Sequence, residues 1–178
     1  MNVKVKSNYF ITLAEAKKHL RVDVSFTDED SFITQLIEAA TGFAENYIEK
    51  DIASTVNTKT ILEFSGDEIL IQEGNYKSVT SVTGSISGAL TFGDNAVKYD
   101  DSTFTITLDN EITTEETLTV VFETGYTLST YPKQIRQAIL IKIHDLYDPE
   151  RGSFNIGVLK TNDIFESLLN FYVKMRFV

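Results

Sequence analysis

Residues 31–64, SFITQLIEAATGFAENYIEKDIASTVNTKTILEF, change their period part-way along. Up to Ile48 the apolar residues Phe32, Ile33, Leu36, Ile37, Ala40, Phe43, Ala44, Tyr47 and Ile48 advance by three, four and one. That spacing predicts a helix of about five turns with one broad buried stripe. Gly42 inside it costs about 1 kcal/mol relative to alanine and is expected at a point of close packing. From Thr58 to Phe64 β-branched and apolar residues alternate with polar ones, which is strand patterning. The switch from one period to the other predicts an α+β chain.

Working upstream, Thr12-Leu13-Ala14-Glu15 fits a capping box, and Leu13, Ala16, Lys17 and Leu20 follow at helical spacing. This first helix is expected to end near Arg21. The acidic run Thr27-Asp28-Glu29-Asp30 is expected to cap the second helix through its side chains. Downstream, strands are predicted over 58–64, 68–72, 79–83, 104–108 and 118–122. Turn chemistry separates them at 65–67, 73–75, 93–95 and 109–110. The connections are too short for helical crossovers, so the sheet is antiparallel. Residues 83–88 read as an edge or exposed loop.

Pro132 suits the first turn of a third helix, whose buried face is Ile135, Ala138, Ile139, Ile143, Leu146 and Tyr147, widened by Leu140 and Ile141. Asp148-Pro149-Glu150-Arg151-Gly152 ends it. A last helix begins near Asn162, with Ile164, Phe165, Leu168, Leu169, Phe171, Tyr172, Val173 and Phe177 as its apolar set. That set is too wide for a lone surface helix. The expected architecture is one domain, 1–178. Two amino-terminal and two carboxy-terminal helices form a helical body (10–51 and 131–176) carrying an inserted antiparallel sheet (54–125).

Composition narrows the chemistry. The chain has 178 residues, no cysteine and two histidines. Disulfides, thiolate nucleophiles and cysteine-ligated metals are excluded, and His19 and His144 cannot make a three-histidine site within one chain. A net charge of −10 argues against wrapping nucleic acid. No apolar run spans a bilayer, and MNVKVKSNYF lacks the apolar core of a signal peptide, so no membrane association is expected. His144 and Asp145 are adjacent on a helix, where side chains diverge by about 100°, so they make no catalytic pair. His19 reads as a partly exposed filler. Asp28, Glu29 and Asp30 lack a calcium-loop spacing, and no phosphate-binding loop or nucleophile elbow is present. No catalytic residue, metal site or cofactor is expected, and the chain is not read as an enzyme.

Two blocks resemble the head–tail connector (adaptor) family of long-tailed double-stranded DNA phages. The first is ITLAEAKKHLRVD, 11–23, with acidic 27–30 and the helix 32–48. The second is FETGY, 122–126, followed by YPKQIRQAILIKIHDLY, 131–147. The residues that carry it are Leu13, Leu20, Arg21, Gly125, Tyr126, Pro132, Ile135, Gln137, Ala138, Ile139 and Tyr147. The resemblance implies a virion structural protein of a phage or prophage, made in the host cytoplasm. It implies a head-to-tail ring of commonly about twelve copies on the portal protein, followed by a stopper or tail-terminator protein. DNA would pass through its channel without sequence-specific binding. A ring built from one interface type needs two different complementary patches per subunit. Phe154, Ile156, Val158, Leu159, Phe171, Tyr172 and Phe177 either supply one patch or finish the subunit's own core. Twelve copies would sum to roughly −120, and acidic lumen residues would then let DNA slide. The alternatives are another tail-completion or baseplate protein, and, third, a carbohydrate-binding module or hydrolase based on Tyr76, Tyr99 and Tyr126.

Overall fold

The computed structural model describes residues 2–93, 96–100, 103–147 and 163–173. The chain divides into two compact units, one of residues 1–8, 50–126 and 174–178, the other of 9–49 and 127–173. The second holds helices α1 (Leu13–Leu20), α2 (Asp30–Ile48), α3 (Lys133–Tyr147) and α4 (Asp163–Leu169), with a 3-10 turn at Asn170–Tyr172. The first is an antiparallel sheet of β1 (Asn2–Asn8), β2 (Ser54–Ile71), β3 (Tyr76–Gly84), β4 (Gly88–Leu90), β5 (Val97–Tyr99) and β6 (Phe104–Thr124). Its order is β1-β2-β6-β3-β4, with β5 also paired to β6.

Two differences from the sequence expectation concern the sheet. Residues 2–8, for which periodicity predicts no element, form edge strand β1, paired from Asn2 opposite Lys59 to Asn8 opposite Ser54. The turn signals at 65–67 and 109–110 lie inside β2 and β6 and do not end them. The pairing of β2 with β6 shifts register between Ile61 and Phe64, Phe64 and Gly66, and Gly66 and Glu68. Gly66 (φ 111°) and Glu63 (φ 52°) take left-handed backbone there. Turn-forming residues at a bulge bend a strand while its pairing resumes beyond them. Both halves of β6 consequently feed one core: Phe104 and Ile106 from the first, Leu118, Val120 and Phe122 from the second, with Ile69, Ile71 and Val82. The Phe104 and Phe122 rings meet edge to face, with centroids 5.1 Å apart.

The exit from β6 is fixed by Gly125. Its φ is +105°, and a Cβ there would lie 2.2 Å from the Ala53 carbonyl oxygen. Only glycine tolerates both. The Gly125 N–H donates to Asn75 O (2.9 Å) and the Tyr126 N–H to Ile52 O (3.1 Å). Buried Asp51 lies beside this crossing. It accepts from Thr124 Oγ (2.6 Å) and Lys4 Nζ (3.0 Å), while Asn57 Nδ2 donates to Thr124 Oγ (2.7 Å). Burial alone would lower the Lys4 ammonium, but Asp51 and Glu73 outweigh it and hold it above its ordinary value. Lys4 therefore ties edge strand β1 to the network.

At the other end of β3, the Glu116 carboxylate holds the turn into β4. It accepts from Ile86 N–H (2.7 Å), Ser87 N–H (3.1 Å) and Ser87 Oγ (2.5 Å). It lies over Gly84, where a Cβ would fall 2.3 Å from a carboxylate oxygen. The residues 83–88 thus form an exposed hairpin end, as their polarity predicts.

In the helical unit the capping of α2 differs from expectation. Glu29 is its N-cap but makes no side-chain cap bond. Its carboxylate instead accepts from the Tyr147 hydroxyl, and Asp30 pairs with Lys17. Close packing does not explain Gly42, since a Cβ there meets nothing within 4 Å.

The two glycines therefore predict opposite outcomes. Gly125→Ala is expected to destabilise by roughly 2–4 kcal/mol through backbone strain and overlap with Ala53. Gly42→Ala is expected to stabilise by about 0.5–1 kcal/mol. Urea unfolding of the two variants checks both signs. For the hairpin, the bonds from Ser87 Oγ, then the Ile86 and Ser87 N–H groups, hold Glu116 below the ordinary glutamate range. A depressed carboxylate value stabilises fully above the unfolded value, and that contribution is lost as pH falls through the folded one. Hydrogen-exchange protection of the Ile86 and Ser87 amides is expected to drop over that acid window, and to be low at neutral pH in Glu116→Gln.

Candidate assembly interface

The helical unit is built around α2 and α3. Ile33, Leu36, Ile37, Ala40, Ala44 and Ile48 of α2 are buried, as are Ile135, Ala138, Ile139, Leu140 and Ile143 of α3. Phe32 and Phe43, expected on the buried stripe of α2, are instead about half exposed. They occupy the margins of an arc wider than the neighbouring helices cover.

Polar contacts lock the helices from their surfaces. Thr12 Oγ accepts from the Glu15 N–H (3.2 Å), which is half of the capping box. The Glu15 carboxylate does not turn back to Thr12. It takes both arms of Arg136 on α3, at 2.7 and 2.6 Å. Arg21 closes α1 in left-handed backbone (φ 62°). Tyr147 donates to Glu29 (2.6 Å), joining the end of α3 to the start of α2.

Lys17 is buried although it carries a charge. Its ammonium donates to the carbonyls of Val24 (3.2 Å) and Phe26 (2.7 Å) and pairs with Asp30. The α1–α2 loop is thus wrapped around a cation. The signal was present in the sequence, since Lys17 stands on the helical stripe with Leu13, Ala16 and Leu20.

Of the expected interface residues, Phe154, Ile156, Val158, Leu159 and Phe177 lie outside the described residues, as does the helix-ending segment 148–152. The last helix divides its apolar set. Phe165 and Leu169 are buried and complete the unit's core, whereas Ile164 is 60% and Phe171 90% exposed. Tyr172 is half-buried and donates to Gln134 Oε1 (3.0 Å). Beside this helix a groove of about 460 Å³ is lined by Phe43, Asn46, Tyr47, Lys142, Asp145, Phe165 and Glu166. The Lys142 ammonium lies 4.6 Å from the Phe43 ring centroid and 5.6 Å from that of Phe165. An apolar surface with a cation held over aromatic faces suits a protein contact.

Of the other motif residues, Ile135, Ala138, Ile139 and Gly125 are buried, Leu13, Leu20, Tyr126, Pro132 and Tyr147 are half-buried, and Gln137 is exposed. Pro132 immediately precedes α3, and its carbonyl accepts from Arg136 (3.2 Å). His144 stands edge-on to His19, centroids 5.8 Å apart, on separate helices. Burial, then the neighbouring His144, lower the His19 imidazole below its ordinary value, against an opposing pull from Glu15. Among the described residues no three histidine, aspartate or glutamate side chains are grouped to hold a metal ion. No helix among them is long and apolar enough to cross a membrane.

Comparison with known proteins bears on this geometry. Residues 10–92, which hold α1, α2 and the first half of the sheet, match the model of the phage gp6-like head–tail connector protein. The match covers just under half of the chain. The first sequence block falls within the match. The second, 122–147, lies beyond it, and its Gly125 owes its place to the crossing at Ala53. Fold likeness extends over the whole chain. A chain from the neck of an empty GTA particle, computed with C6 symmetry, is similar with a TM-score of 0.75 at 17% identity, covering 100% of this chain and 97% of that one. A chain of the virion of a native gene transfer agent (GTA) particle has a TM-score of 0.74 at 15% identity. One from the neck of the native particle, computed with C12 symmetry, has 0.74 at 16%. Both of these also cover 100% of this chain and 97% of their own. No curated protein sequence matches the chain.

The buried cation offers a test of the helical unit. Lys17→Met leaves two carbonyls and the Asp30 carboxylate without their partner, while Asp30 keeps part of its hydration. A loss of about 2–4 kcal/mol is expected in urea unfolding followed by far-ultraviolet circular dichroism.

Proposed function

We propose that the chain is a structural connector subunit of the head-to-tail junction of a phage-like particle, assembling with copies of itself into a ring between portal and tail. The observation that carries this reading is the family match over 10–92 on a chain whose entire fold resembles proteins of particle necks. The symmetries under which those necks were computed favour a ring of about twelve copies here. The surface chemistry agrees with a scaffold. Its aromatic groove and the exposed Ile164 and Phe171 provide contact area, and its ionisable groups are spent on tying helices and turns together. In this reading the portal lies on one side of the ring, a stopper or tail-terminator protein on the other, and DNA passes through the lumen. The subunit works as a virion component with no catalytic role.

Native mass spectrometry and electron microscopy of the purified chain, alone and mixed with its portal, provide the test. Rings of a single stoichiometry, free or seated on the portal, are the expected result. A chain that stays monomeric and leaves the portal unoccupied overturns the proposal. Subunits that close only on the portal remain consistent with it, since templating supplies the second surface.

A further inference from the structure

The chain's charge is unevenly placed. Residues 60–132 contain twelve Asp and Glu against two lysines, a net −10 that equals the formal charge of the whole chain. The remaining residues balance to zero. Within this region the turn from β3 to β4 is closely held. Besides the three bonds to Glu116, the Ser85 N–H donates to Thr117 O (2.9 Å) and the Thr117 N–H to Ser85 Oγ (3.2 Å). At its apex stands Ile86, 70% exposed. Leu62, also 70% exposed, stands at the same end of the sheet, one residue beyond the row in which Ile61, Leu118 and Gly84 pair across β2, β6 and β3.

A nearly buried carboxylate and a glycine that admits it are arranged here to hold an exposed isoleucine in one place. Nothing in the sheet's core requires that: Ile86 is not among the residues packed on it. Fixing a loop in advance removes the entropy cost of ordering it on binding, and an apolar residue at a rigid apex makes an efficient anchor. The surrounding charge defines the partner. Glu63 and Glu115, both exposed, stand next to Leu62 and Glu116 at this end of the sheet, and such carboxylates steer toward a basic surface and repel DNA.

We propose that the β3–β4 hairpin is a docking anchor for a basic protein partner, with Ile86 entering an apolar socket rimmed by lysine or arginine. The proposal rests on the connector reading, which makes the portal and the tail-side protein of the same particle the two partners to test. Binding of the full chain to each purified protein is measured by biolayer interferometry at low and high salt.

One of the two is expected to bind, more weakly as salt rises. Ile86→Asp is expected to weaken that binding at least about 30-fold and Ile86→Val to preserve it within about threefold. Glu116→Gln is expected to weaken it about 3–10-fold, because the turn loses its preorganisation while the anchor stays. Circular dichroism checks that each variant is folded. Ile86→Asp binding both proteins as tightly as the unmodified chain overturns the proposal. So does an Ile86→Asp that loses self-association alone, which would make a second copy the occupant, and so does duplex DNA that binds through this hairpin. If the unmodified chain binds neither protein and forms no ring, the connector reading falls as well. Rings that form while the hairpin proves dispensable leave that reading standing.

Discussion

Everything in the sheet unit depends on how closely the chain passes itself at Gly125. The strand-to-loop step at the end of β6 runs against the backbone of Ile52 and Ala53, near enough that no side chain fits between. The chain therefore enters and leaves the sheet at one point. Asp51 lies beside it, and its carboxylate gathers Thr124 from β6 and Lys4 from β1 while its carbonyl accepts from Asn75. A buried carboxylate is costly unless its bonds are made, so these partners are coupled: losing one leaves the others facing an unmet charge. The Gly-Tyr pair that stands out in the sequence is thus a matter of backbone geometry.

The same reasoning explains which parts of the fold could be read from residues alone. α2 and α3 were legible because their stripes repeat over many turns, and the strand stretches 58–64 and 118–122 because alternation is a local property. The joining of those stretches was not. Ser65-Gly66-Asp67 is good turn chemistry, and whether it reverses a strand or bends it depends on whether pairing resumes beyond it with β6, some 40 residues away in sequence. β1 was missed for a related reason. Val3 and Val5 alternate with Lys4 and Lys6 over too short a run, and its register comes from β2. Lys17 was placed on the correct stripe, but only tertiary structure brings the Val24 and Phe26 carbonyls to its ammonium. The acidic start of α2 misled for the opposite reason: Glu29 and Asp30 are taken by Tyr147 and Lys17 rather than by the free N–H groups of the helix.

The burial pattern of the last helix was legible in part. Width of the apolar set on the last helix predicted more than a monomer core needs, and the set does divide, with Phe165 and Leu169 inside and Ile164 and Phe171 outside. No sequence rule states which residue falls on which side, since that depends on where α2 and α3 end beneath them. Tyr172 shows the same limit. It carries an apolar ring expected at a partner surface, yet its hydroxyl is spent on Gln134 within the unit.

On the proposed connector reading the chain faces a physical conflict. Exposed apolar surface promotes closure but also indiscriminate aggregation, and net charge keeps copies apart until a specific contact forms. By unit the charge is shared: residues 9–49 and 127–173 hold 13 acidic and 8 basic residues, a net −5, and residues 1–8, 50–126 and 174–178 hold the same numbers. The groove by α4 is lined by Lys142 together with Asp145 and Glu166, so its cation stands among carboxylates. In the sheet unit the exposed Ile86 and Leu62 are single apolar residues, too sparse to form a patch that associates with itself. On that reading specificity rests on where each apolar residue is held, and the amount of apolar surface matters less.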